Sequence, residues 1–238
     1  MNLLTIYVKE LKRANMSVII KTCVEKLVPK SGNELAGTNF WPPNKVLRTH
    51  FLGGVSTVVQ EKVRHYISLW QPYINLKLEF VNDPSAEIRI GFNMDGTSWS
   101  AVGMDALNKR YFPNETLNLG WLTPETEDEE YSRIVLHEFG HALGCLHEHQ
   151  NPSFDIPWDR EKVYQYYFQT QGWNKTQVDQ NIFRKWSRNF TQFSSFDEKS
   201  IMLYPIPKEL TTNGYEVGLN TTLSDTDKGF ISTIYPKN

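Results

Sequence analysis

The stretch HEFGHALGCLH, residues 137–147, constrains the fold of this 238-residue chain more than any other. His137 and His141 are four residues apart, so on a helix they stand one turn apart on one face, where two imidazoles reach a single metal ion. A helix that simply continued would carry His147 away along its axis at about 1.5 Å per residue. Gly144 resolves this, because glycine takes the left-handed conformation that ends a helix, and the chain then turns back toward the ion. Three imidazoles and a water are the ligand set of a catalytic zinc, whereas a structural zinc has all its positions filled by protein. Glu138, beside the first histidine, is placed to take a proton from the metal-bound water without being a ligand, as a general base does. The expectation is one catalytic Zn2+ held by His137, His141 and His147.

The rest of the composition removes competing classes. A formal net charge of -2, with lysines and arginines scattered among acidic residues, gives no footprint for nucleic acid or anionic lipid. The run RKWSR, 184–188, reads as a solvated helix face. Two cysteines, Cys23 and Cys145, are too few for a disulfide framework or a four-thiolate zinc site. No apolar run approaches the roughly 18 residues of a membrane span. The start, MNLLTIYVKELKRANM, lacks the basic-then-apolar order of a secretion signal, which leaves the export route open.

Along the chain, residues 1–36 read as an N-terminal arm or a propeptide, with SGNELAGTN as a flexible connector. Residues 37–238 read as one catalytic domain, which the family resemblance named below divides into an upper lobe near 37–147 and a lower lobe near 148–238. VLRTHFL suggests a strand, and Val55, Val58, Val59, Val63, Tyr66, Ile67 and Trp70 then recur with a helical period. LKLEFV and EIRIGF alternate as half-buried strands do, and short strands follow around SWSAVG and LNLGWL. A helix starts near residue 127, with Thr126 and Glu129 as a capping box and carboxylates in its first turn. LSDTDKGFISTIY reads as a closing helix capped by Ser224, with Asp227 three residues on. The aromatic cluster Tyr164, Tyr166, Tyr167, Phe168 and Trp173 reads as a helix packing on the lower lobe. The fold class is α+β: a mixed twisted sheet with two helices above, and an irregular lobe with a terminal helix below.

The full HExxHxxGxxH pattern resembles the signature of metzincin zinc endopeptidases. That family adds a methionine-containing turn beneath the metal, and SIMLYP, 200–205, supplies Met202. Tyr204 resembles the tyrosine of the astacin subgroup, which the resemblance makes an additional, displaceable zinc ligand that stabilises the transition state. Glu148, directly after His147, corresponds to the acid that anchors the mature N-terminus in astacins. FDEKSIMLY resembles their FDYxSxMHY stretch, and GTSWSAVG resembles the strand that borders their cleft, implying that Trp99, Ser100, Ala101 and Val102 pair with extended substrate. The similarity runs from about Phe40 to Tyr235. It departs at Leu203, where astacins have histidine, at HQNPSFDIPWD after Glu148, and in lacking two cysteine pairs.

The resemblance implies a zinc metalloendopeptidase acting as a monomer on polypeptide substrates, without nucleic-acid or membrane partners, and outside the cell. The alternative is a catalytically silent zinc-binding protein of the same fold that binds a polypeptide partner. A purely structural metal would need Tyr204 and Cys145 both locked on it. The aspartate that blocks zinc in astacin propeptides has no counterpart upstream of Asp83. Cys23 has two readings: a plain buried cysteine, favoured because KTCVEKL lacks the PRCGVPD surroundings of the matrixin switch, or a thiolate that caps the metal. Cys145 reads as packing or as the disulfide partner of Cys23. His149 flanks the site and reads as a substrate contact, while His50 and His65 read as structural or exposed.

Overall fold

The computed structural model describes residues 23–28, 39–186 and 194–237. Most of the N-terminal arm and of the SGNELAGTN connector lies outside the described residues. Within the described residues, six strands form one sheet in the order β1-β5-β6-β4-β2-β3. They are β1 (Cys23–Lys26), β2 (Val46–Phe51), β3 (Lys77–Phe80), β4 (Ile88–Gly91), β5 (Ser98–Ala101) and β6 (Leu117–Leu119). Every neighbouring pair is parallel except β5 with β6, so the sheet is mixed.

Two helices cover one face. Helix α1 (Thr57–Ser68) starts at Ser56, whose side chain accepts from the Val59 amide, and it buries Val59, Val63 and Ile67 at four-residue spacing. Helix α2 (Asp128–Ala142) packs beside it, and its Ile134, Val135 and Phe139 join Trp70, Leu47, Ile88 and Ile90 in the main core. The start of α2 corrects the expected capping box: Glu127 is the cap residue and makes no side-chain cap bond. The Thr126 hydroxyl is taken by the Thr123 amide in the preceding turn. The helix end instead gathers Asp128, Glu129 and Glu130 in its first turn, where carboxylates favour the positive end of the dipole.

The lower lobe contains α3 (Arg160–Gln171), the short α4 (Lys175–Val178) and α5 (Asp225–Ile234). Asp159 caps α3 by accepting from the Lys162 amide, and Gly172 ends it at φ 69°. Tyr166 and Tyr167 pack with Val163, Val178 and Ile182 as expected, but Phe168 turns outward and is 67 % exposed. Helix α5 carries the anticipated capping box, with the Ser224 and Asp227 side chains each bonding the other's amide.

The basic run is not a solvated helix. Its Lys185 ammonium donates to the carbonyls of His149, Asn151 and Phe154, and Trp186 is buried with Nε1 on Gln150 Oε1 at 3.0 Å. One ammonium has three protons, and three inward-facing loop carbonyls need donors, which explains why this lysine leaves solvent. The last two residues of the run, 187 and 188, lie outside the described residues.

Candidate metal centre

Helix α2 delivers His137, Glu138 and His141 into the interior beneath the sheet, where they are 5 %, 0 % and 0 % exposed. The helix stops at Leu143, and Gly144 takes φ 106°, as the turn requires. A side chain on Gly144 would strike the ring of Phe40 at 2.6 Å, so both conformation and space demand glycine here. The chain then returns with His147, whose Nε2 lies 3.1 Å from Nε2 of His141.

Backbone carbonyls orient the rings. Nδ1 of His137 lies 2.8 Å from the carbonyl of Ile201, and Nδ1 of His141 lies 2.8 Å from the carbonyl of Cys145. A carbonyl only accepts, so each Nδ1 must carry the proton and each Nε2 keeps its lone pair facing inward. Burial holds these imidazoles neutral, pushing His141 down to about 4 and His137 and His147 well below their usual value. Neutral rings are what a metal site needs. Nε2 of His137 and Oε1 of Glu138 are buried with no hydrogen-bond partner, a costly arrangement that an ion and its water would relieve. One ligand atom from each of His137, His141, His147 and Cys23 lies within 4.8 Å of the others. This donor set of nitrogen and sulfur fits zinc.

The methionine turn lies under this cluster. Met202 is 3 % exposed, and its sulfur packs where any side chain on Gly140 would have to go. Asp227 of α5 fixes the turn, accepting from Ser200 Oγ at 2.7 Å and from the Ile201 amide at 2.8 Å. Since the Ile201 carbonyl in turn accepts from His137, the closing helix orients a histidine of the cluster through one residue. Leu203, the departure from histidine, packs with Ile156 and Ile206 in a separate apolar cluster.

Cys23 corrects the favoured reading of it. It is buried, but its thiol sits in the histidine cluster and donates to Oε2 of Glu138 at 3.1 Å. Its carbonyl accepts from the hydroxyl of Tyr204. Cys145 is a separate buried thiol, not bonded to Cys23, so neither the disulfide nor the structural ligand set is formed. Only the threading of β1 beside β5 brings Cys23 here, and no local signal in KTCVEKL could have announced it.

Tyr204 lies against the cluster, with its ring 4.4 Å from that of His147. His149 does not face a cleft; it is fully buried, tilted against the Tyr204 ring at 4.5 Å, with Nε2 at 2.7 Å from the Asn181 carbonyl. His50 bonds the Val81 carbonyl through Nδ1, and His65 is exposed. Glu148 accepts from Asn151 Nδ2 and the Asp197 amide, each at 2.9 Å, while burial raises its carboxyl to about 7. A cavity beside it is bordered by Trp70, Gly144, Met202 and Asp227. Trp99, Ser100 and Ala101 lie in β5, whose edge is taken by β1, and Val102 is buried just beyond.

The family model described as Astacin, a peptidase family, matches residues 34–235. This chain belongs to the astacin family. Its fold is that of the zinc metalloproteases of that family, which supports a peptidase function, and its histidine group can hold one zinc ion. A structure of myroilysin is similar to this astacin at 44 % identity and TM-score 0.82, covering 85 % of this chain and 98 % of that one. A second myroilysin structure shares 42 % identity at TM-score 0.68, covering 91 % of each chain. The fold is also similar to that of high choriolytic enzyme 1, a hatching enzyme zinc-protease from Oryzias latipes (medaka fish). There the identity is 16 % and the TM-score 0.58, over 84 % of this chain and 96 % of that one. No curated protein matches the chain. Among the described residues, no helix is long and apolar enough to cross a membrane.

Proposed function

We propose that this astacin is a zinc endopeptidase that hydrolyses peptide bonds within extended polypeptides, with Glu138 as general base. The observation that carries this reading is the convergence of three preset imidazoles beside a buried, partly unsatisfied carboxyl. Bound zinc would polarise the scissile carbonyl and lower the pKa of a water molecule. Glu138 takes the proton of the attacking water and passes it to the departing amine. Tyr204 can turn its hydroxyl proton toward the carbonyl oxygen under attack once the Cys23 carbonyl is gone. His137, His141 and His147 are the ligands in this reading, Gly144 and Met202 shape the site, and Glu148 braces the lower lobe beside it.

The substrate takes the edge of β5, from Trp99 to Val102, by adding a strand. In the structure β1 holds that edge, which supports residues 1–36 as a propeptide and 37–238 as the catalytic domain. The test is mass spectrometry of products from a peptide library, with and without a zinc chelator. Cleavage at internal bonds that stops on chelation is expected. Protein with stoichiometric zinc and no cleavage of any peptide, even with Cys23→Ala in place, would instead support the silent zinc-binding alternative.

A further inference from the structure

The edge of β5 carries a second recognition element, about 10 Å along the strand from Cys23 at about 3.3 Å per residue. The parallel register sets Lys26 opposite Ala101, and Ala101 shares its face of the sheet with Trp99, two residues away. The Lys26 ammonium stands 3.2 Å from the centroid of the Trp99 ring. Trp99 is itself fixed, being 9 % exposed and stacked on Phe112 at 6.2 Å. Behind it on the same face, Asn118 pairs with Trp99 and Gly91 pairs with Asn118. Gly91 has no side chain, and the stem of Glu115 lies across the gap, 3.2 Å from where a Cβ would stand. Glu115 is steadied by Asn93 Nδ2 at 3.1 Å, and Asp95 by the amide and hydroxyl of Thr97 at 2.9 and 2.7 Å.

We propose that the Trp99 ring face, backed by the carboxylates of Glu115 and Asp95, is a substrate subsite for a lysine or arginine side chain. The inference rests on the endopeptidase reading above, and Lys26 is the occupant of that subsite while β1 lies on the edge. A cation over an indole face is favourable, and more so when it is partly desolvated. Burial lowers the Lys26 ammonium from its usual value, and Glu115 and Asp95 act against that shift, so the two carboxylates favour its charged form. An extended substrate that replaces β1 sends alternate side chains to this same face, whichever way it runs. The preferred basic residue therefore falls about three residues from the scissile bond, on one side only.

The experiment profiles cleavage of a peptide library by the zinc-loaded full chain carrying Cys23→Ala, and by the same chain with the Glu115→Gln, Asp95→Asn double substitution added, reading products by mass spectrometry. Lysine and arginine should be enriched about fivefold at one fixed position in the products of the Cys23→Ala chain, falling to less than about twofold when the double substitution is added. Cleavage with no basic enrichment at any position overturns the subsite and leaves the peptidase reading standing. Amide hydrogen exchange of β1 in the full chain decides the matter without turnover. Lys26→Gln and the double variant should each speed exchange at residues 24–26, and combining them should add little. Exchange unchanged in both would overturn the proposal even if no peptide were cleaved, an outcome that by itself would sink only the peptidase reading.

Discussion

The thiol of Cys23 donates to Oε2 of Glu138 at 3.1 Å, joining two residues 115 positions apart in sequence. The same residue occupies Tyr204 through its carbonyl, so a single backbone position engages both the proposed base and the proposed oxyanion donor. Cys23→Ala should raise cleavage of a quenched peptide by about tenfold, the upper end of what one lost hydrogen bond gives. The measurement is the initial rate on zinc-loaded full-length protein. Equal rates for the two proteins would mean that β1 is no plug.

Glu138→Gln, placed in the Cys23→Ala background so that the reference is active, should keep stoichiometric zinc and lose about 10²- to 10⁴-fold in kcat/KM. Metal analysis and peptide kinetics read the two halves separately. Retained zinc with undiminished turnover would assign the proton transfer to another group.

Gly144→Ala should destabilise the protein by about 1 to 3 kcal/mol, because alanine is strained at φ 106° and its methyl meets the Phe40 ring. The denaturation midpoint in urea reports the stability loss, and zinc titration reports the misplacement of His147. A variant with normal stability and normal zinc affinity would show that the turn back to His147 does not depend on this residue.

Away from the site, Glu87 offers a test of charge. Burial pushes its carboxyl up, but bonds from Lys45 Nζ at 3.0 Å and from Arg48 outweigh that and hold it below the usual range. A depressed folded value means the stabilisation is present above the unfolded pKa of about 4.3 and is lost as pH falls through the folded one. Glu87→Gln should therefore cost about 1 kcal/mol at neutral pH and progressively less in acid. Urea unfolding of both proteins at pH 7 and pH 3 makes the comparison, and a gap independent of pH would remove the charge from the account.

What the sequence made legible was local. Gly144 after the second histidine, the four-residue spacing of Val59, Val63 and Ile67, and the Ser224 to Asp227 box each involve neighbours within a turn or two, where spacing is geometry. What it concealed depends on partners far away in the chain. Cys23 meets Glu138 only because β1 threads beside β5, and Lys185 leaves water only because loop 149–154 turns three carbonyls inward. Gly140 reads as a weak helix residue until Met202 is seen to need its space. His149 looks available in a motif, yet the ring of Tyr204 covers it.

The path from Asp227 through Ile201 to His137 gives the last helix a role out of proportion to its length. A chain truncated before residue 225 would still encode all three histidines, but the peptide that aligns the first of them would have lost its anchor. Such a fragment should be a poor chelator, and shortened versions of the enzyme should be designed to keep their tail.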